Sequence, residues 1–302
     1  MNTKFVSFVR VGILMSGLAG CGGINGADGS AVEAVGSSEQ AFETASGTMR
    51  LSTYASGSWY FDTDADGAWI GPPYDATHSG FGAYQDIPLI GFGSVACGQA
   101  GGLRGVYRPS THEYFIDNGD FNWGAGDTSI SNFVVSGFAS GVIHPFVYAV
   151  FVSGNSCKGV VGFTWQFDST SPMLWVVDLN GNNVYDGSNE IIGSFGGGED
   201  LPVPLYNPSF HSSVMTVFRP STGQWFQDVN NNKQYDNGFD TITSFGAAYD
   251  FPFGHPNTVI RGTTRPGGVS WHRFIDMDGN GWWNNVQDKD FPFRNEIYAM
   301  VY

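Results

Sequence analysis

The chain of 302 residues is long enough for one large or two small domains. Only 14% of its residues are charged, against roughly 25% in an average globular protein, and 16% are aromatic, which argues against a coiled coil and against a disordered chain. The formal net charge of −15 argues against a nucleic-acid-binding protein, because such proteins carry a surface rich in lysine and arginine.

Residues 1–20 are interpreted as a signal peptide. Lys4 and Arg10 accompany a small apolar segment, Val11–Ala19, which is too short to span a bilayer. The segment Leu18-Ala19-Gly20-Cys21 resembles the lipobox of bacterial lipoproteins. The resemblance implies cleavage before Cys21, lipidation of its thiol and export to the bacterial envelope, and Gly22 in place of an aspartate favours the outer membrane. An ordinary signal peptide cleaved nearby is the alternative.

Residues 21–47 are rich in glycine, serine, alanine and glutamate and show no strand periodicity. This composition predicts a flexible tether between the lipid anchor and a folded domain at residues 48–302. The leader carries two basic and no acidic residues, so its removal changes the net charge from −15 to −17. A charge of this size disfavours anionic partners.

Two cysteines, Cys97 and Cys157, remain in the folded domain. In an oxidising compartment an even pair of cysteines usually forms a disulfide, and we predict one here. It would close a loop of about 60 residues and stabilise the fold by roughly 4 kcal/mol in the chain-entropy model. The alternative is two buried free thiols.

Residues 48–302 contain five related units of about 50 residues. The two clearest copies are Leu174–Pro204 and Val217–Gly254. In each unit an acidic residue follows an aromatic-rich segment, and these acids are spaced by 55, 61, 50 and 48 residues. The five acids are Asp62, Asp117, Asp178, Asp228 and Asp276.

The sequence of each unit predicts short β-strands separated by turns. Segments such as Val217–Pro220 and Trp225–Asp228 are strand-like and are joined by a Ser-Thr-Gly turn, and no stretch after residue 48 has helical periodicity with caps. A repeat of about 50 residues with about four strands fits one blade of a β-propeller. The sequence therefore predicts an all-β propeller of five blades, closed by pairing of Ile297–Tyr302 with the first strand near Met49.

Two segments carry a family resemblance: VFRPSTGQW at Val217–Trp225 and VYRPSTHEY at Val106–Tyr114. Together with the FG…DLPVP and FG…DFPFG segments they resemble the FG-GAP/VCBS-type propeller repeats of bacterial surface proteins. The resemblance implies a propeller and an aspartate-rich calcium loop after the D-x-P-V-P strand. Leu205-Tyr206-Asn207-Pro208 and Gly254-His255-Pro256-Asn257 stand at that place, so the family's calcium loop is missing there.

Acidic loops follow the aromatic-rich strand instead. Three of them place oxygen-bearing side chains at positions 1, 3, 5, 9 and 13, counted from the leading aspartate, and calcium requires six to eight oxygen ligands. We predict structural calcium at these three loops and at a shorter one that begins at Asp62. The DNGDFNWGAGD loop at Asp117 lacks the pattern, and metal-free Asn/Asp/Gly turns are the alternative for all of them. The predicted ligands are Asp62, Asp64, Asp66, Asp178, Asn180, Asn182, Asp186, Glu190, Asp228, Asn230, Asn232, Asp236, Asp240, Asp276, Asp278, Asn280 and Asp288.

Each loop also carries an aromatic residue at or next to position 8. Such rings stack on sugars if they are exposed, which predicts a glycan-binding face. The alternative is that they anchor the next strand against the sheet. The five residues are Trp69, Trp123, Tyr185, Tyr235 and Trp283.

No motif for nucleophilic, zinc or P-loop chemistry occurs in the sequence. We therefore expect a non-catalytic, lipid-anchored binding protein of the cell envelope that is stabilised by calcium and recognises polysaccharide. Two alternatives stay open. One is a carbohydrate-active enzyme with paired aspartates from separate blades. The other is a structural or assembly partner of envelope proteins.

Overall fold

The computed structural model shows an all-β protein. Apart from two three-residue 3-10 helices at Ser136–Phe138 and Ser188–Glu190, the regular elements of the described residues are β-strands, which confirms the predicted fold class. The described residues lie within one compact unit, Ala34–Tyr302. They are residues 39–43, 49–55, 57–63, 71–92, 95–96, 102–138, 140–154, 156–254, 261–267, 270–276, 279–284 and 287–294.

The strands form antiparallel sheets that follow one another along the chain. Sheet I has the order β1 (Glu39–Glu43), β2 (Met49–Ala55), β3 (Ser58–Phe61) and β4 (Ala76–Ser79). Sheet II has the order β5 (Ile87–Phe92), β7 (Gly102–Arg108), β8 (Glu113–Asp117) and β9 (Thr128–Ile130). Sheet III has the order β10 (Val142–Ser153), β11 (Ser156–Gln166), β12 (Pro172–Val177) and β13 (Ile191–Gly197), and β6 (Val95–Ala96) also pairs with β11.

Sheet IV has the order β14 (Leu201–Pro202), β17 (Thr216–Arg219), β18 (Gln224–Gln227) and β19 (Thr241–Thr243). Strands β15 (Leu205–Asn207) and β16 (Ser212–Val214) form a separate two-stranded ribbon. Sheet V has the order β20 (Phe251–Gly254), β21 (Arg261–Gly267), β22 (Ser270–Asp276) and β23 (Lys289–Arg294).

The R-P-S-T segments form the tight turns that the sequence predicted. After β7, the amides of Thr111 and His112 donate to the carbonyl of Arg108 at 3.3 and 2.8 Å. After β17, the amides of Thr222 and Gly223 donate to the carbonyl of Arg219 at 3.2 and 2.9 Å. His112 and Gly223 both have positive φ, so the two turns share one backbone path and fix the register of the hairpins that they close.

The hydrophobic core lies between neighbouring sheets, as in a propeller. Tyr54 of sheet I packs with Val106 of sheet II, and Val217 of sheet IV packs with Trp175 of sheet III. Further clusters join sheet II to sheet III and sheet IV to sheet V, and β1 lies against β20. The sheets are therefore arranged in a ring by face-to-face packing of their apolar sides.

The prediction of five blades is wrong, because the structure has four blades. Four sheets, I, II, IV and V, have the predicted four-stranded blade form. Sheet III differs because β10 and β11 have 12 and 11 residues, about twice the length of a typical strand, and β6 adds a fifth strand to the edge of β11. The long hairpin exposes an extra edge, and the paired β6 covers it.

Two further predictions about the ends of the domain are corrected. Strand β1 lies inside the segment predicted as tether, so the domain begins at least nine residues before residue 48. Strand β2 pairs with β1 on one side and β3 on the other, which leaves no edge of the Met49 strand for Ile297–Tyr302. Residues 297–302, residues 1–20 and the first part of the predicted tether lie outside the described residues.

The repeated Phe-Gly dipeptides bind buried tryptophans. Nε1 of Trp59, Trp175 and Trp225 donates to the carbonyl of Phe81, Phe195 and Phe245 at 3.1, 2.8 and 2.6 Å, respectively. The following glycine has positive φ each time, for example 113° at Gly246, where a Cβ would lie 2.8 Å from Thr263 Cγ2. The dipeptide therefore gives the indole an acceptor and turns the chain into the next sheet.

Candidate functional site

The leading aspartates of the five units occupy the same place in the fold. Each one lies at the end of the third strand of its sheet or directly after it, and each one is at most 7% exposed. The repeat inferred from sequence is confirmed at this position. The five residues are Asp62 after β3, Asp117 in β8, Asp178 after β12, Asp228 after β18 and Asp276 in β22.

Buried leading aspartates organise their loops by accepting backbone hydrogen bonds. In three loops the carboxylate accepts the amides of positions 5 and 6, at 3.1 and 2.9 Å for Asp178 and for Asp228, and at 3.1 and 2.7 Å for Asp276. The donors are Asn182, Asn183, Asn232, Lys233, Asn280 and Gly281. These carboxylates hold a tight turn at the start of each loop.

The acid at position 13 closes the same loops. Glu190, Asp240 and Asp288 are buried, and each accepts the amide of position 9, at 2.8, 2.6 and 2.6 Å. The side chains at positions 3, 5 and 9 converge on the open side of the loop. Nδ2 of Asn180 and of Asn182 donates to Oδ2 of Asp186 at 2.6 and 2.8 Å, and Asn230 and Asn232 contact Asp236 in the same way.

Buried negative charge accumulates in these loops. Burial raises the pKa of Glu190, and the charges of Asp178 and Asp186 raise it too, although the Asp186 amide lowers it. Oε1 of Glu190 is buried and has no hydrogen-bond partner within the part of the chain that the structure describes. Burial also raises the pKa of Asp228, against the hydrogen bond and the charge of Lys233. Ionised carboxylates in these positions are therefore costly until a cation compensates them.

Among the described residues, the carboxylates of the Asp178 and Asp228 loops do not gather as closely as those of the Asp117 loop, which lacks the calcium pattern. Among the residues that the structure describes, three carboxylates within 4.8 Å of one another occur only at Asp117, Asp120 and Asp127. Their positions in the loop are 1, 4 and 11, which the 1-3-5 spacing rule does not recognise. Of the other predicted ligands, Asp64, Asp66 and Asp278 lie outside the described residues.

The described aromatic residues at or next to position 8 are partly exposed and also pack against neighbouring rings. Trp123, Tyr235 and Trp283 are 51, 43 and 41% exposed. Each also contacts a phenylalanine of its own sheet and one of the preceding sheet, with ring centroids 5.2 to 6.3 Å apart. Tyr185 is only partly exposed and packs on Phe138, and Trp69 lies outside the described residues.

A repeated ion pair between neighbouring strands was missed from sequence. In three D-x-P segments the aspartate is 1% exposed and receives a bidentate contact from the arginine of the adjacent strand. The guanidinium also lies over a phenylalanine of the third strand at 4.4 to 4.6 Å. The pairs are Asp86 with Arg108, Asp200 with Arg219, and Asp250 with Arg265. The recurrence of D-x-P and R-P segments in the sequence was the signal that could have revealed these ion pairs.

Cys157 is fully buried and disulfide-bonded, and its Sγ lies 3.1 Å from the carbonyl oxygen of His211. The register of β6 and β11 places Val95 opposite Cys157. Cys97 follows two residues later and lies outside the described residues, so its pairing with Cys157 stays a prediction, as does the lipidation of Cys21.

Comparison with known proteins identifies no relative whose function could be transferred to this chain. No protein-family model, curated protein or solved structure matches this chain. Within the described residues, no helix has the length and apolar character needed to cross a membrane.

Proposed function

We propose that this chain is a non-catalytic, lipid-anchored protein of the bacterial cell envelope that binds polysaccharide through aromatic side chains of its loops. One observation carries the proposal. Trp123, Tyr235 and Trp283 stand at loop position 7 or 8, each about half exposed and each held by two phenylalanines. Rings fixed in this way offer stacking surfaces with little loss of side-chain freedom on binding.

The charge of the protein limits the choice of ligand. A net charge of −15, or −17 after removal of the leader, repels anionic chains over a distance of about 10 Å at 0.1 M salt. A neutral or cationic polysaccharide fits both the charge and the aromatic surfaces. The lipobox-like segment ending at Cys21 supports export and anchoring in the envelope, with the outer membrane favoured by Gly22.

Calcium is proposed as a structural cofactor of the Asp178, Asp228 and Asp276 loops. The supporting observations are the convergence of positions 3, 5 and 9 in the Asp178 and Asp228 loops and the buried Oε1 of Glu190, which has no hydrogen-bond partner in the described part of the chain. An oxygen-only donor set suits a hard cation. A bound ion would fix the loops that carry Tyr185, Tyr235 and Trp283.

The binding proposal is tested with a glycan array probed by the mature chain. Trp123→Ala and Trp283→Ala are expected to lower glycan binding while leaving the urea midpoint close to that of the wild type. Tyr84→Ala is the matched control, because Tyr84 is 56% exposed but lies between β4 and β5, outside the acidic loops. Absence of glycan binding by the wild-type chain contradicts the proposal, and turnover of a glycan would favour the enzymatic alternative.

The calcium proposal is tested by thermal melting with and without excess chelator. At ten times its Kd, one bound ion adds about 1.4 kcal/mol, so the melting temperature should rise by degrees. Asp186→Asn should reduce this rise. The control is Asp168→Asn, an exposed turn aspartate that accepts the Thr170 amide at 2.9 Å. A melting temperature that chelator does not change contradicts calcium in these loops.

The assembly alternative has one observation in its favour. Phe151 and Val152, at the end of the long β10 strand, are 47 and 56% exposed. Exposed apolar side chains on a projecting hairpin suit a protein partner. Co-purification of envelope proteins with the wild type but not with a Phe151→Ser/Val152→Ser variant, without glycan binding, would favour this function.

A further inference from the structure

We infer that the loop of sheet II at residues 117–127 holds a calcium site formed by Asp117, Asp120 and Asp127. One carboxylate oxygen of each residue lies within 4.8 Å of one oxygen of the other two. The site is separate from the Asp178, Asp228 and Asp276 loops, and the inference does not depend on calcium or polysaccharide binding there.

The carboxylate of Asp117 provides independent support. The residue is 7% exposed, and its Oδ1 accepts the amide of Phe121 at 3.0 Å. Its Oδ2 is buried and has no hydrogen-bond partner among the described residues. A buried carboxylate oxygen without a donor costs free energy, and here it belongs to a group whose neighbours are two further carboxylates. A cation is the partner that satisfies this oxygen and reduces the repulsion among the three groups.

The loop holds the other two carboxylates in place by backbone hydrogen bonds. Asp127 accepts the amide of Asn118 at 2.8 Å through Oδ1 and that of Gly124 at 2.7 Å through Oδ2. Asp120 accepts the amide of Asn122 through Oδ1 at 2.8 Å. The turn therefore fixes the positions of the carboxylates before an ion binds. This preorganisation lowers the entropy cost of binding.

The local charge balance fits a divalent ion. Within the described residues, no Lys, Arg or His makes an ion pair with any of the three aspartates. The nearest compensation comes from Arg104, which faces Asp117 across β7 and β8 and lies 4.4 Å over the ring of Phe121. Burial lowers the pKa of Arg104, and the negative charge of Asp117 raises it to a smaller extent. Three carboxylates and one guanidinium leave two negative charges for the ion to neutralise.

The donor chemistry selects calcium over the common alternatives. The cluster consists only of carboxylate oxygens, which suit a hard cation and not zinc or copper. Asp120 is exposed and Asp127 is half-buried, so one side of the cluster is open to water. Calcium accepts such a mixture of protein and water oxygens in a flexible geometry, whereas magnesium requires a near-ideal octahedron.

The experiment is a calcium titration of the full mature chain by isothermal calorimetry, with Asp120→Asn as the main variant. Asparagine at this exposed position keeps an oxygen to accept the Asn122 amide but removes one charge, so the fold should be retained. We expect the variant to lose one bound calcium per chain, or to bind it about tenfold more weakly, because affinity follows the charge of the ligand set. Asp168→Asn is the control and should titrate like the wild type.

The outcomes separate this site from the other loops. Loss of one bound calcium in Asp120→Asn but not in Asp186→Asn supports calcium at the Asp117 cluster. This result does not require calcium binding by the other loops. Equal stoichiometry and affinity in the wild type and Asp120→Asn overturn the inference. In a crystal soaked with terbium, an anomalous peak between the three aspartates supports the site, and peaks only at other loops contradict it.

Discussion

Arg219 donates two hydrogen bonds to Asp200, from Nε to Oδ1 at 2.7 Å and from Nη2 to Oδ2 at 2.9 Å. The Asp200 side chain is fully buried, whereas that of Arg219 is 38% exposed. The carboxylate also accepts the Gly197 amide at 3.1 Å. Asp200 precedes β14 and Arg219 ends β17, so this pair joins the two strands at one edge of sheet IV and recurs in sheets II and V.

Arg219→Ala is expected to lower the free energy of unfolding by about 2–3 kcal/mol, because the buried carboxylate of Asp200 loses its ion pair with Arg219. Partial exposure of the arginine keeps the loss below that of a fully buried pair. Arg219→Lys keeps the charge but loses the bidentate geometry. Its free energy of unfolding should lie between those of the wild type and the alanine variant. Urea denaturation measures the effect, and a loss below 0.5 kcal/mol for Arg219→Ala would contradict a stabilising role.

Trp225→Phe is expected to destabilise the protein by about 1–3 kcal/mol. The indole of Trp225 is fully buried and donates to the Phe245 carbonyl at 2.6 Å, so phenylalanine leaves that acceptor unpaired and the site underfilled. Trp123→Phe changes an exposed ring and should stay within about 0.5 kcal/mol of the wild type. Equal urea midpoints for the two variants would show that the indole hydrogen bond contributes little.

Stability should decrease in mild acid because of His144. Burial lowers the pKa of this histidine from 6.5 to about 4. Between these pH values the unfolded chain binds a proton that the folded protein excludes, so the contribution of His144 to stability is complete above pH 6.5 and is lost as the pH falls towards 4. His144→Gln should flatten the pH dependence of the urea midpoint over this range. An unchanged slope in His144→Gln would assign the acid sensitivity to other groups.

Reduction of the predicted Cys97–Cys157 disulfide should destabilise the domain by up to roughly 4 kcal/mol, since the bond closes a loop of about 60 residues. The register of Val95 opposite Cys157 brings the chain before Cys97 close to the buried sulfur. Non-reducing peptide mapping of the exported protein should recover the two cysteines in one cross-linked fragment. Recovery of Cys97 and Cys157 as separate, alkylated thiols would refute the pairing.

Local sequence information was sufficient for strands of the repeated units and for the repeat itself, but not for β1. Alternating aromatic residues, R-P-S-T turns and Phe-Gly dipeptides act within a few residues, so they predict strands and hairpins without knowledge of the partner sheet. The leading aspartates were located correctly for the same reason, since each one caps the strand beside it. Strand β1 was missed because Glu39–Glu43 contains one aromatic residue and is defined by its pairing with β2.

What the sequence by itself determined is an all-β chain built from repeated strand-turn units with a buried acid after the third strand, because these features depend on side-chain alternation and turn chemistry. Only the tertiary structure decided which strands share a sheet, how β6 joins β11, and that Asp200 meets Arg219. It also decided that Asp117, Asp120 and Asp127 converge, while among the described residues the more regular spacing of the Asp178 and Asp228 loops does not bring three carboxylates as close. Convergence depends on the three-dimensional path of the backbone, and residue spacing along the chain does not fix that path.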